Sequence, residues 1–315
     1  MSRRGVAQRA TALQPRLSRL VLEQSEQYVR AVVDARKRPR RAAVHAVRVA
    51  TRRLLAMRDL LQFVHSGAGN RALELYLDEP FRSCGRLRDL QVMQRRLRLL
   101  LPRFPEAAQF LGVLERRERK ARVRAARALD AAHPRRVARL LAGLAAQLDE
   151  VTADRAGRDR EMRRVESRIR AAHRAAIKAR ARARSGDPDL IHRARLALKS
   201  HRYMVALAES LGLHFVASEV EGLSRVQAEM GEITDRTMLL HALDAHRDKH
   251  PRAGTRLARL RAYVERERGR LISRYLAADR GASSAANDAT TRATRPHAVR
   301  VRSRRSQPKR IVPAR

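Results

Sequence analysis

Apolar residues recur every three or four positions through nearly all of the chain before residue 279, and the strict alternation of a half-buried strand is absent. That pattern predicts an all-α protein. Helices are expected near residues 12–36, 40–64, 70–101 and 105–131, and a second set near 158–184, 188–211, 214–248 and 252–278. A more apolar helix near 135–152 is expected to connect the two sets. Pro39, the Ser66–Asn70 stretch, Pro102 and Pro105 punctuate the first set, and Pro188, Gly212 and Pro251 the second. Pro80 falls inside the third helix and is expected to kink it or to start a new one. Asp187 is placed to cap the helix that follows it.

Inside this pattern one arrangement of polar positions occurs twice. The segment VHAVRVATRRLLAMRDLL carries His45, Arg48, Arg52 and Arg53, and IHRARLALKSHRYMVALAE carries His192, Arg195, Lys199 and Arg202. His45 and His192, Arg48 and Arg195, and Arg52 and Lys199 are each separated by 147 residues. On a helix that advances about 100° per residue, the four second-copy positions fall on one narrow stripe. Arg48 and Arg52 hold the same stripe in the first copy, and Arg41 extends it backwards. Leu55 stands where the fourth cation would be. Val44, Val47, Leu54 and Leu61 leave a separate face for packing. Like charges at this spacing repel by a few tenths of a kcal/mol per pair, roughly, so the row is useful when a polyanion lies along it. Neighbouring cations should lower the histidine pKa values.

A second element follows each stripe. CGRLRDLQV contains Gly85, Arg88 and Asp89, and QAEMGEITD contains Gln227, Gly231 and Asp235; both Gly85 to Gly231 and Asp89 to Asp235 span 146 residues. Each Gly–Asp pair is four residues apart and shares a helix face. A helix-interior glycine costs about 1 kcal/mol relative to alanine, so another helix is expected to approach closely there. Each aspartate is expected to orient an arginine or histidine through a charge-assisted hydrogen bond.

The two H-x-x-R-x-x-x-R/K helices, each followed by a G-x-x-x-D helix, make residues 12–278 closely resemble the CHAD domain, an all-α family named for its histidines. The resemblance implies two four-helix bundles related by pseudo-twofold symmetry around a central basic groove, with inorganic polyphosphate as the ligand and association with polyphosphate or storage granules. It implies contacts to phosphoryl oxygens from His45, Arg48, Arg52, His192, Arg195, Lys199 and Arg202, with Arg41 extending the row, Arg53, Arg86 and Arg88 at the rim, and Asp89 and Asp235 supporting it. Leu55 and Ala206 depart from the family pattern, which usually has an arginine at the first and often an acid at the second.

Composition agrees with a polyanionic partner. There are 71 Lys plus Arg against 32 Asp plus Glu, a formal charge of +39, and only six of the cations are lysine. Arginine's planar fork suits phosphate, although the joint excess of Arg and Ala also reflects a GC-rich coding bias. Aromatic residues make up 3% of the chain and Trp is absent, which disfavours stacking platforms for single-stranded nucleic acid. The single cysteine, Cys84, excludes a disulfide framework and reads as a small core residue. There is no phosphate loop, zinc-spaced ligand set or membrane-length apolar run, and the N-terminus lacks a secretory h-region. Glu265 and Glu267 are only distantly similar to a triphosphate-tunnel signature, with Gly269 in place of its lysine.

The expectation is therefore a non-enzymatic, cytoplasmic polyphosphate-binding protein with no cofactor and no metal. Residues 1–11 form an N-terminal arm. The helical domain at 12–278 comprises 12–131, the connector 135–152 and 158–278. Residues 279–315 form a disordered basic tail; from residue 280 it holds ten cations against the single acid Asp288. A nonspecific nucleic-acid or chromatin-associated binding protein remains the alternative, followed by an enzyme that transfers or hydrolyses phosphate.

Overall fold

The periodicity resolves into ten helices, with no strand among the described residues. A computed structural model of the chain describes residues 16–61, 68–211 and 217–293. The helices are α1 (Arg16–Lys37), α2 (Arg41–Leu61), α3 (Ala68–Leu100), α4 (Ala108–Asp130), α5 (Pro134–Val151), α6 (Arg155–Ala183), α7 (Pro188–Ser210), α8 (Ala217–Lys249), α9 (Pro251–Arg256) and α10 (Ala258–Ala293). A 3₁₀ turn at Pro105–Ala107 leads into α4. Ser66, Gly67 and Gly212 lie outside the described residues, and residues 68–70 already belong to α3.

Local chemistry accounts for the boundaries. Pro134, Pro188 and Pro251 each sit in the first turn of a helix, where the missing N–H costs nothing. The Asp187 carboxylate accepts hydrogen bonds from the backbone N–H of Asp189 at 2.7 Å and of Leu190 at 3.0 Å, capping α7 as the sequence predicts. Arg36 donates to the carbonyls of Leu129 and Asp130 at 2.8 and 2.7 Å. A cation there satisfies the open C-terminal end of α4 and ties it to α1. α3 runs through Pro80 as one helix rather than restarting. Proline removes a single ladder bond, and the buried Leu73, Leu77, Leu87 and Leu97 on either side hold the helix in place.

The chain divides into two units, Met1–Tyr275 and Leu276–Arg315. In the first, the apolar cores do not follow the two halves of the sequence. One core joins α1, α2, α5 and much of α3 to Val165 and Ile169 of α6 and to Met204, Val205 and Leu207 of α7. The other joins Met93, Leu97, Phe110 and Leu114 from the first half to Leu239, Leu240, Leu260 and Val264 from the second. A fully buried Leu such as Leu54 stabilises the fold by roughly 2 kcal/mol. The segment 135–152 is more than a connector, because α5 packs on α1 and buries Val137, Leu141, Leu144 and Leu148. At the centre, α2 contacts α3, α3 contacts α8, α8 contacts α7 and α7 contacts α2. Two helices from each half thus form one ring.

In the second unit the backbone of α10 continues past the composition change at residue 280 and ends at Ala293. Its many alanines are strong helix formers, and extending an existing helix needs no new nucleus. Residues 294–315 of the basic tail, and the N-terminal arm, lie outside the described residues.

Candidate functional site

The helix ring aims the two repeated elements at each other. On α2, Val44, Val47, Leu54 and Leu61 are buried, as the pattern predicts, which turns His45, Arg48 and Arg52 away from the core. Burying Ile191, Ala194, Leu198 and Val205 does the same for His192, Arg195 and Lys199 on α7. Because α2 packs directly on α7, the stripes share one electrostatic field. The charge of Lys199 acts on His45, that of Arg52 on Arg195, and those of Arg48 and Arg52 on Lys199. Arg202 joins the edge of the group through Lys199 and lies 5.6 Å from the Tyr203 ring. Leu55, the missing cation, is half-buried against the first core.

The repeated glycines make room for an arginine of the neighbouring helix. A Cβ added to Gly85 would overlap the Arg48 guanidinium, and one added to Gly231 would lie 3.4 Å from Arg195 Nε and Nη2. Each stripe arginine therefore crosses the glycine of the neighbouring helix: Arg48 over α3, Arg195 over α8. The expected close approach of another helix is thus made by its arginine side chain and not by its backbone. Arginine supplies the close contact because its flat head can reach a helix surface only where no side chain stands. Among the described residues, Arg195 Nε is buried there without a hydrogen-bond partner.

The aspartates also act differently from the expectation. Among the described residues, neither Asp89 nor Asp235 makes an ion pair or charge-assisted hydrogen bond with a cation. Their carboxyl pKa values are raised by burial, against the opposing pull of Arg48, Arg52 and Arg195 on Asp89 and of Arg195 on Asp235. Asp89 acts in turn on Arg48 and Arg195, and Asp235 on Arg88. They support the cations through their field across the two copies.

That field is strongly positive. Burial first, then the surrounding Arg195, Arg52, Arg48 and Arg202, pushes the Lys199 amine down to about 7. Burial and Arg88 lower His45, and burial and Arg195 lower His192. The direction expected for the histidines holds, with burial as its leading cause.

Four further sequence-predicted residues are distributed unevenly. Arg88 is half-buried beside His45, Asp235 and Asp89, inside the cluster rather than at its rim. Arg41 is exposed and acts on Arg88. Arg53 does not join them: it donates to Gln27 Oε1 on α1 at 2.8 Å, because it lies about 100° around α2 from Arg52. Arg86 likewise turns to the flank of α4, where it lines a cavity of about 250 Å³ with Arg117, Lys120 and Arg124.

Two contributions were missed by reading the sequence. Phe81 lies under both first-copy arginines, with its ring centre 5.2 Å from Arg48 Cζ and 5.6 Å from Arg52 Cζ. Cation–π contact fixes these side chains against their mutual repulsion. Its signal is the i, i+4, i+8 row Phe81–Gly85–Asp89; the second copy has Gln227 at the matching position. Arg96 on α3 also meets Glu232 on α8 at 2.7 Å, and Glu232 bonds Arg236 as well. Burial would raise the Glu232 pKa, but these two arginines outweigh it and hold the carboxyl below its usual value. The network ties α3 to α8 beside Asp235. Among the described residues, no three His, Cys, Asp or Glu side chains gather closely enough to hold a metal ion.

A model of the CHAD domain matches residues 19–244, most of the chain and both repeated elements. The chain belongs to the CHAD family. The crystal structure of the CHAD domain from the plant Ricinus communis is similar with a TM-score of 0.60, at 23% identity, covering 85% of this chain and 91% of that one. At that identity the likeness concerns the fold. No curated protein matches the chain. Within this CHAD chain the two half-motifs are thus parts of one cluster, built by four helices that the family match includes.

Gly85→Ala tests how the cluster is assembled. Alanine favours the helix by about 1 kcal/mol, and the displaced Arg48 head is the flexible end of a side chain. The melting temperature is therefore expected to hold or rise while affinity for polyphosphate, the ligand that the family resemblance implies, falls about tenfold, the loss of roughly one charged contact. Gly231→Ala, with more room, is expected to have a smaller effect. Thermal melts and titrations on both variants check this.

Proposed function

We propose that this CHAD protein binds inorganic polyphosphate without transforming it. The observation that carries the reading is the convergence of His45, Arg48, Arg52, Arg88, His192, Arg195, Lys199 and Arg202 from three helices onto one seam. An unbranched chain of phosphates presents charge at every unit and is thin enough to lie along a seam between two helices. Arginine forks would grip phosphoryl oxygens with paired hydrogen bonds, and Lys199 and the histidines would gain protons as they do so. Arg53 and Arg86 are left out of the contact set. The carboxylates that recur in register, Asp89 and Asp235, stand among cations, and Glu232 beside Asp235 is already held by Arg96 and Arg236, which suits support of arginines better than chemistry on phosphate.

No helix of the described residues is long and apolar enough to cross a membrane. Residence in the cytoplasm, at polyphosphate granules, fits such a ligand.

Competition separates this reading from general attraction to nucleic acid. A DNA duplex, with a major groove about 12 Å wide, cannot lay successive phosphates along a single helix–helix seam. At physiological salt and equal charge concentration, duplex DNA is expected not to displace labelled long-chain polyphosphate. Displacement by DNA at matched charge would overturn the proposal and favour the nucleic-acid reading.

A further inference from the structure

The two copies of the stripe begin differently. In the first copy, the turn between α1 and α2 reads Lys37-Arg38-Pro39-Arg40-Arg41; in the second, Asp187 and Pro188 stand where Arg40 and Arg41 would be, followed by Asp189. Asp189 acts on His192, so one end of the seam closes on negative charge. The other end stays positive. Arg41 acts on Arg88 inside the cluster, and Arg41 and Arg122 both line two adjoining cavities.

The smaller, about 310 Å³, includes Glu115 and Glu118, but Arg98 holds the first at 2.8 Å and Arg122 the second at 2.7 Å. The larger, about 650 Å³, is lined by Lys37, Arg38, Arg40, Arg41 and Arg122 without any carboxylate. Among the described residues, Lys37, Arg38, Arg40 and Arg41 make no ion pair, and all four are exposed. Pro39 breaks the chain between α1 and α2 and so gathers cations from two helix ends into one basin.

We propose that this α1–α2 basin is a second polyanion subsite, reached from the His45/His192 cluster past Arg88 and Arg41 and filled only by chains long enough to leave the cluster at that end. The inference rests on the polyphosphate reading and adds a direction and a length requirement to it. A chain seated on the stripes is repelled at Asp187 and Asp189 and drawn out over the α1–α2 turn. Short oligophosphates end inside the cluster.

The experiment compares three proteins: unsubstituted, Lys37→Ala/Arg38→Ala/Arg40→Ala, and Arg117→Ala/Lys120→Ala/Arg124→Ala. The last removes the same charge from the opposite flank of α4, about 180° around the helix from Arg122. Each is titrated with tripolyphosphate and with long-chain polyphosphate over a range of salt. The α1–α2 triple variant is expected to bind long chains about tenfold more weakly, with a log–log salt slope shallower by about 2, at roughly 0.7 per lost cation. Its tripolyphosphate affinity, and long-chain binding by the α4 variant, should stay within about twofold, since neither experiment removes a contact from the path of the ligand. Equal losses for both chain lengths, or an equal loss in the α4 variant, would overturn the subsite. An unsubstituted protein that binds neither ligand would instead overturn the parent reading, and the subsite with it.

Discussion

Arg195→Glu combined with Lys199→Glu is expected to abolish tight polyphosphate binding while leaving the helical CD spectrum unchanged. Both residues sit on the outward stripe of α7, and the buried positions Ile191, Ala194 and Leu198 that hold the helix are untouched. At 199 the new carboxylate faces Arg48, Arg52 and Arg202, which offset the reversed charge; at 195 it faces Arg52 together with Asp89 and Asp235, two carboxyls that burial already biases towards the neutral form. The ligand receives no such compensation. Each charged contact is worth roughly 1.5–3 kcal/mol; losing two therefore costs at least about a hundredfold in affinity, before the added repulsion between carboxylate and phosphate. Unchanged affinity with an intact CD spectrum would move the binding surface elsewhere, the basic segment from residue 280 being the first alternative.

The second large effect is on pH. In the free protein Lys199 titrates at about 7, against an ordinary value of 10.5. A phosphate chain laid beside it restores the charged form, so bound protein carries a proton that free protein lacks over the window between those values. Affinity must fall as pH rises through that window, by up to about tenfold per pH unit for one linked proton. Between about pH 7 and pH 8.5 a loss of about tenfold is expected, and calorimetry in buffers of different ionisation enthalpy should register proton uptake on binding. Below pH 7 the two histidines, both lowered, add further uptake as they charge. Stability of the unliganded protein responds with the opposite sign. The unfolded chain binds the Lys199 proton across the same window and the folded chain does not, so this group adds stability as pH rises from about 7 towards the ordinary lysine value. Lys199→Gln is expected to flatten both profiles. An affinity independent of pH across that range in the unsubstituted protein would contradict the placement of Lys199 against the ligand.

How much of this was legible depends on which residues are asked. The stripe at His192, Arg195 and Lys199 needed only the helical period, and its match to His45, Arg48 and Arg52 needed only counting. The Asp187 cap and the helix-starting prolines act within a few residues of themselves, so local sequence was sufficient. Gly85 and Gly231 were visible as anomalies, but their partner was not: a glycine advertises space without saying whether backbone or a guanidinium fills it. Arg53 and Arg86 look like stripe members because they adjoin Arg52 and Gly85. One residue of offset rotates each of them to a different neighbouring helix, and only the packing names that neighbour. Phe81 was unmarked because a lone phenylalanine on an amphipathic helix usually reads as core.

By itself, the sequence determined the helices, their buried faces, the duplication and the excess of positive charge, because each follows from short-range periodicity or from composition. Tertiary structure decided that α2 meets α7, that α3 and α8 close the ring, and that the cores cross between the halves. Those choices rest on shape complementarity between faces distant in sequence, which no local pattern encodes. They alone turn two separate rows of cations into one cluster in which Asp89 answers Arg195 and Lys199 loses its charge near neutrality.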